Sequence, residues 1–243
     1  MGFTSQAAKR FTLVARRIWV ATPPTHASAS AFVVVAAQGL ILFVAFGAIG
    51  PEVFVFVVWV TTMATSFRRV QKQSTDPSAR TARTWKNALA NAGVAWALAI
   101  VTLLYPRTHF RSAAVIGFIA SLAAALSDTV SHEFGVVLGP SPRSIISFRR
   151  VLPGANGGVS AWGSLCGLAA SFAVAALAFG LSGLSLTGML IVTVAGFLGN
   201  IVDSILGATL EEKGWIQNDL VNLGCSLSGA GFGIAAWSLF LKG

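Results

Sequence analysis

Seven apolar segments separated by short polar stretches make up most of the chain. They span residues 28–49, 52–66, 87–105, 112–128, 159–181, 187–208 and 219–241. Because a helix needs about 20 residues to cross the hydrocarbon core of a bilayer, this pattern predicts an all-α polytopic transmembrane bundle of about six or seven spanning helices. The second and fourth segments are short. We therefore expect 28–66 to form a tight helical hairpin at Gly50-Pro51, and the end of 112–128 to be buried in protein.

Composition indicates a membrane protein rather than a soluble enzyme. The 243 residues are 55% apolar and 10% charged, whereas soluble domains carry about 25% charged residues. The formal net charge is +9, and the cations lie in short segments between apolar runs, as membrane topology signals do. No basic patch with interleaved aromatic residues is present, so nucleic-acid binding is not expected. Anionic lipid headgroups are the natural partner.

A basic N-terminal segment, residues 1–27, precedes a single predicted transmembrane domain at 28–243. Its cations are Lys9, Arg10, Arg16 and Arg17. No acid occurs before Glu52. This composition is typical of an organelle presequence, and an interfacial amphipathic helix that stays on the protein is the open alternative. The basic, acid-free composition of this segment favours an organelle membrane, mitochondrial inner or plastid, over the endoplasmic reticulum.

The distribution of Lys and Arg predicts that polar residues gather at one membrane face. Under the positive-inside rule, the N-terminal segment, 67–86 and 129–158 lie on the same side. Alternating crossings bring several helix ends to that side as well. The residues that converge there are Asp128, Glu133, Arg149, Arg150, Asn156, Asp203, Asn218 and Asp219. A carboxylate at membrane depth is costly unless it is paired or bound to a metal, so the four acids are candidates for a functional site.

The polar stretch before the fifth apolar segment has the features of a phosphate site. Arg149 and Arg150 offer planar donors suited to phosphate. The run Pro153-Gly154-Ala155-Asn156-Gly157-Gly158 is a Gly-rich turn that leads into a predicted helix. Backbone N–H groups in such a turn and at a helix N-terminus bind anions. The alternative is a positive-inside loop with an ordinary helix cap.

Asp128, Asp203 and Asp219 are candidate ligands of Mg²⁺. This hard cation prefers one or two carboxylates together with substrate phosphates and water. One ion would therefore explain acids and arginines in a shared site. For each acid alone, a helix cap or an ion pair is the alternative. Asp219 follows Asn218 at the start of the last predicted helix, where capping explains it equally well.

Five sequence blocks occur in order between about residues 80 and 225. They are ARTWKNALANAGV, SDTVSHEFGVVLGPSPRSI, FRRVLPGANGGVS, GFLGNIVDSILGATLEE and NDLVN. Together they resemble the transmembrane protein 19 family, an integral membrane family that includes the plant phytyl-phosphate kinase of vitamin E synthesis. The resemblance implies a polytopic membrane fold. For characterised plant members it also implies phosphoryl transfer from a nucleoside triphosphate to an isoprenyl monophosphate.

The resemblance also implies site residues. Asp128 and Glu133 match the family's acidic pair, and Asp203 matches the acid of its Asp-Ser-Leu-Leu-Gly-Ala-Thr block. The residues that match its Arg–Gly–Asn block are Arg149, Arg150, Gly154, Asn156, Gly157 and Gly158. Those that match its terminal Asn-Asp block are Asn218, Asp219 and Asn222.

A lipid-phosphate kinase is the function that we predict from these features. Mg²⁺ held by Asp128, Asp203 and Asp219 would bridge the phosphates of a nucleoside triphosphate. The two arginines and the turn at 154–158 would bind phosphate, and Glu133 would orient the isoprenyl-phosphate acceptor. The alternative is a non-catalytic accessory subunit of a larger organellar membrane complex, with other membrane subunits as partners.

Overall fold

The chain folds into a bundle of long helices. The computed structural model describes residues 44–46, 49–72, 85–105, 110–139, 141–182 and 184–240. The helices in these ranges are α1 (Ile49–Lys72), α2 (Trp85–Leu104), α3 (Phe110–Leu138), α4 (Ala161–Ser182), α5 (Leu186–Leu206) and α6 (Asn218–Phe240). A π-helical turn, Gly207–Glu211, continues α5. Two short antiparallel strands, β1 (Arg143–Ser144) and β2 (Gly158–Val159), lie in the loop between α3 and α4.

The predicted all-α membrane architecture is confirmed. In the described part of the chain, four helices are long and apolar enough to cross a membrane. They are Arg111–Leu138, Ala161–Leu181, Leu186–Glu211 and Asn218–Phe240. Two shorter apolar stretches, Glu52–Phe67 and Ala90–Leu104, belong to α1 and α2. The N-terminal segment 1–27 and most of the first predicted span, 28–49, lie outside the described residues.

The Gly50-Pro51 pair begins a helix. α1 starts at Ile49, so Pro51 occupies its first turn, where a proline removes no helical hydrogen bond. The helix continues to Lys72, beyond the predicted end at residue 66. The first half of the predicted hairpin at 28–66 lies mostly outside the described residues.

α3 is the central helix, and it packs against each of the other five. Its most apolar stretch is 89% buried within the protein, whereas that of α6 is 28% buried. The expectation that the fourth apolar segment ends inside protein is therefore confirmed. Its predicted end at Asp128 is wrong, because the helix continues to Leu138. The acids that marked a boundary in the sequence lie within a helix that neighbouring helices cover.

Small residues allow α3, α5 and α6 to approach closely. A Cβ atom on Gly199 of α5 would lie 2.7 Å from the Cβ of Ala124 in α3 and 2.8 Å from the carbonyl oxygen of Cys225 in α6. A Cβ atom on Gly196 would lie 2.7 Å from the Cβ of Ala123. These glycines therefore mark helix contacts, as small residues do between membrane helices. The close approach brings polar side chains of α3 and α5 within reach of one another.

Candidate functional site

Several helix ends meet at one end of the bundle. α4 ends at Ser182 and α5 begins at Leu186, and this short connection joins two antiparallel helices. The end of α5 therefore lies beside the start of α4 and the loop that precedes it. A Cβ atom on Gly157 of that loop would lie 2.6 Å from the carbonyl oxygen of Ser204 in α5. We call this region, which α3, α5, the 139–160 loop and the start of α6 share, the polar end.

Asp128 of α3 and Asp203 of α5 lie side by side at the polar end. Their side chains are within hydrogen-bonding reach of each other, and Glu211 is close enough to act on Asp203 through its charge. The Oδ2 atom of Asp203 is buried and has no hydrogen-bond partner within the protein. Two adjacent carboxylates repel each other when both are ionised, so they require a shared proton or a cation between them. This arrangement fits a hard divalent cation.

A three-carboxylate metal site is not found. Among the residues that the structure describes, no group of three or more His, Cys, Asp and Glu side chains is placed to hold a metal ion. Asp128 and Asp203 therefore come together without Asp219 as a third ligand. Asp219 lies in the first turn of α6, where a negative charge favours the helix dipole.

A buried polar contact next to the acid pair was missed in the sequence. The side-chain amide of Asn200 donates to the hydroxyl oxygen of Ser127 over 3.2 Å, and both side chains are buried. Ser127 precedes Asp128, and Asn200 lies one turn before Asp203 on α5. A Cβ atom on Gly167 of α4 would lie 2.8 Å from the Asn200 amide nitrogen. The sequence carries no signal for this contact, because it depends on the register between α3 and α5, which joins residues 73 positions apart.

Glu133 and Asn222 are buried polar residues of α3 and α6. Asp128, Glu133 and Asp219 each interact with other groups of the protein. Asn218 is the first residue of α6 and is exposed. Glu133 and Asn222 therefore lie in the interior of the bundle, whereas Asn218 lies at its surface.

The loop between α3 and α4 is tied together by backbone hydrogen bonds. The N–H of Ile145 donates to the Gly157 carbonyl over 3.0 Å, and the N–H of Val151 donates to the Pro142 carbonyl over 3.0 Å. Arg149 and Arg150 are exposed within this framework, on the strand-like stretch that pairs with Arg143. The loop thus holds two guanidinium groups at the polar end.

The Gly-rich turn has the conformation that glycine permits. Gly154 and Gly157 have φ angles of +87° and +65°, in the left-handed region that other residues rarely adopt. The N–H of Gly158 donates to the Ala155 carbonyl over 3.0 Å, so this group shapes the turn itself. Asn156, which lies between Gly154 and Gly157, is exposed. The π-helical turn after α5 closes on the same place, since a Cβ atom on Gly207 would lie 3.1 Å from the Gly157 nitrogen.

Relatives of this chain include proteins of Methanocaldococcus jannaschii, Synechocystis and Arabidopsis thaliana. An uncharacterized membrane protein of Methanocaldococcus jannaschii is 34% identical over 165 residues, which cover 68% of this chain and 67% of that protein. Protein PGR of Arabidopsis thaliana is 33% identical over 162 residues, 57% of this chain and 56% of that protein. An uncharacterized membrane protein of Synechocystis is 37% identical over 108 residues, 44% of this chain and 42% of that protein.

A second Arabidopsis thaliana relative, Protein VTE6, chloroplastic, is 27% identical over 205 residues. The match covers 82% of this chain and 62% of that protein. No solved structure matches the chain. The family described as integral membrane protein DUF92 matches residues 12–230. The chain therefore belongs to the DUF92 family of integral membrane proteins, in agreement with its resemblance to the transmembrane protein 19 family.

Proposed function

We propose that the protein is a membrane kinase that transfers a phosphoryl group from a nucleoside triphosphate to an isoprenyl monophosphate such as phytyl phosphate. The observation that carries the proposal is the Asp128–Asp203 pair, with its unsatisfied buried Oδ2 atom, beside a loop that bears two exposed arginines. The family resemblance, which includes a plant phytyl-phosphate kinase, supports the same chemistry. The alignment with Protein VTE6, chloroplastic, covers 82% of this chain.

Asp128 and Asp203 are the residues that would hold Mg²⁺. Two carboxylates are sufficient when substrate phosphates and water complete the coordination. When bound, this ion neutralises charge on the phosphates of the donor. The Ser127–Asn200 hydrogen bond joins α3 and α5 next to these acids. Ser127 directly precedes Asp128, and Asn200 lies one helical turn before Asp203. We assign Ser127 and Asn200 a positioning role.

Arg149 and Arg150 would bind and orient the phosphates. Guanidinium groups form paired hydrogen bonds with phosphate oxygens and stabilise charge that develops during transfer. The loop that carries them contacts α5 at Ser204, the residue after Asp203. This contact links the position of the arginines to the position of the acid pair.

The transfer step requires no strong base. An oxygen of the isoprenyl monophosphate, already ionised, attacks the γ-phosphorus of the donor. The bond between that phosphorus and the bridging oxygen breaks, and the nucleoside diphosphate leaves. Glu133, buried in α3, would help to orient the acceptor.

An organelle membrane, mitochondrial inner or plastid, is the location that we propose, in keeping with the acid-free N-terminal composition.

The proposal is tested by incubating the purified protein in detergent with phytyl, geranylgeranyl or farnesyl monophosphate, Mg²⁺ and each nucleoside triphosphate. Mass spectrometry then measures formation of the isoprenyl diphosphate. Asp203→Asn is expected to lower the rate by about 100-fold or more, because it removes one charge of the acid pair. Glu212→Gln, at an exposed acid of the next loop, is the matched control and should leave the rate unchanged.

A folded sample that forms no diphosphate with any donor and acceptor would contradict the kinase proposal. The non-catalytic accessory subunit of an organellar membrane complex would then be the remaining function. An unchanged rate in Asp203→Asn, with activity in the parent protein, would refute the role assigned to the acid pair while leaving the activity itself in place.

A further inference from the structure

The loop between α3 and α4 exposes large apolar side chains close to its arginines. Ile146, Phe148 and Leu152 are 51%, 71% and 80% exposed, respectively. Water-facing loops rarely carry several such residues together, because each loses free energy by contact with water. The cluster therefore indicates a surface that contacts something other than water.

The backbone of the loop holds this cluster in a fixed conformation. Phe148 has a φ angle of 56°, which is unusual for a bulky residue. Its N–H donates to the Ser144 carbonyl over 2.9 Å, and its own carbonyl accepts a hydrogen bond of 2.8 Å from Arg143 Nη1. These contacts keep Phe148 in a strained conformation that exposes its ring. Strain retained at an exposed site is typical of a binding surface.

The position of the loop in the bundle determines what lies next to it. The loop joins α3 and α4, which are both long and apolar enough to cross a membrane. It must therefore lie where these helices leave the bilayer. Exposed tryptophans at the same end, Trp162 in the first turn of α4 and Trp215 before α6, are typical of the headgroup layer. Lys213 lies with its Nζ atom 5.0 Å from the centre of the Trp215 ring.

Charge identifies the kind of lipid. The stretch 139–160 contains three arginines, Arg143, Arg149 and Arg150, and no Asp or Glu. All three arginines are exposed. Apolar side chains interleaved with cations at a membrane boundary match the acyl chains and the phosphates of anionic phospholipids. A soluble protein partner would not require this combination beside two membrane helices.

We propose that residues 145–152 are an interfacial anchor that inserts into the headgroup layer of an anionic membrane leaflet. Ile146, Phe148 and Leu152 enter the boundary between headgroups and acyl chains, and the arginines bind lipid phosphates. This inference does not depend on the kinase activity. If both proposals hold, Arg149 and Arg150 lie at the depth where the phosphate of a membrane-embedded isoprenyl phosphate is found.

The anchor is tested by depth measurements on the full chain in liposomes. Single cysteines are placed by Phe148→Cys, Leu152→Cys and, as a water-facing control, Glu212→Cys, after the native Cys166 and Cys225 have been replaced by alanine. Each is labelled with an environment-sensitive fluorophore. We expect labels at 148 and 152 to show blue-shifted emission, quenching by lipids with a spin label near the headgroup, and little quenching by iodide. The label at 212 should show the opposite behaviour.

Lipid composition and a charge variant test the role of the arginines. The blue shift at 148 should be larger in liposomes that contain phosphatidylglycerol than in pure phosphatidylcholine, and Arg150→Gln, at an exposed arginine, should reduce that difference. Labels at 148 and 152 that iodide quenches as strongly as the label at 212 would overturn the proposal. Burial of the label at 148 only when a soluble protein is added would also overturn it. Neither result changes what is expected in the diphosphate assay. The anchor and the kinase proposals can therefore be refuted independently.

Discussion

At the scale of single residues, the acid pair is the feature that most constrains the chemistry. Asp128 and Asp203 are within hydrogen-bonding reach, and one oxygen of Asp203 is buried without a partner in the protein. A buried polar atom without a partner costs free energy. A bound cation would remove this cost and the repulsion between the carboxylates together.

Mg²⁺ binding should therefore be visible as stability, without any turnover. At a free Mg²⁺ concentration of 100 times its dissociation constant, a single site stabilises the folded protein by about 2.7 kcal/mol. Thermal unfolding in detergent should shift upward with Mg²⁺ in the parent protein and in Glu212→Gln, but not in Asp203→Asn. An equal upward shift in Asp203→Asn would contradict binding at the acid pair.

The residues that could be predicted are those with distinctive chemistry. Asp128 and Asp203 could be placed at one membrane face by counting crossings, and the structure brings them together. Ser127 and Asn200 could not be predicted, because a serine and an asparagine in apolar runs gain meaning only from the register between α3 and α5. Asp219 shows the limit of reasoning from residue chemistry. A carboxylate in the sequence suggests a metal ligand, but only the packing of the helices decides which carboxylates meet.

At the scale of elements, the loop between α3 and α4 depends on its contact with the end of α5. Gly157 combines a left-handed backbone with a neighbour that leaves no room for a side chain, since a Cβ atom there would lie 2.6 Å from the Ser204 carbonyl oxygen. Gly214 also has a positive φ angle, +72°, but faces open space. The two glycines therefore separate backbone strain from loss of the contact.

Gly157→Ala should be more damaging than Gly214→Ala. The left-handed conformation costs alanine about 1–2 kcal/mol at either position, and Gly157→Ala adds a clash with backbone that cannot move independently. We expect Gly157→Ala to lower the unfolding temperature further and to abolish diphosphate formation, whereas Gly214→Ala keeps the activity. Equal losses in both variants would show that the loop does not depend on the contact with α5.

Helix ends were harder to predict than helices. The apolar runs indicated where helices lie, because their length alone separates a spanning helix from a loop. The end of α3 was misplaced because the apolar run stops at Asp128, which was interpreted as the end of the helix. The helix continues through Asp128 and Glu133 to Leu138, because hydropathy does not distinguish a charged residue packed against protein from one in water. Residues 1–27 stay a prediction, as does their role.

At the scale of the whole molecule, the bundle is arranged around α3. Its partners form a shell whose outer faces carry large apolar residues that would contact lipid, such as Phe172 and Phe179 of α4. Phe118 of α3 is fully buried and stacks on Phe46 with ring centres 4.5 Å apart. In a membrane, packing rather than removal from water is what distinguishes these positions.

Phe118→Ala should therefore destabilise the bundle much more than Phe172→Ala. A large cavity in a packed interior costs about 3–5 kcal/mol, whereas a truncation at a lipid-facing position changes stability by about 0.5 kcal/mol or less. Unfolding in a mixed detergent series, followed by circular dichroism, measures both. Similar destabilisation by the two variants would contradict the central placement of α3.

The contact between Ser127 and Asn200 joins residues that are 73 positions apart, so it forms late in synthesis. α3 emerges from the ribosome before α4 and α5, so Asp128 reaches the membrane before the residue that meets it has been translated. A nascent chain that ends before Asn200 has the central helix but only half of the acid pair. The site therefore comes into existence only with insertion of the fifth described helix, which places its assembly late in biogenesis.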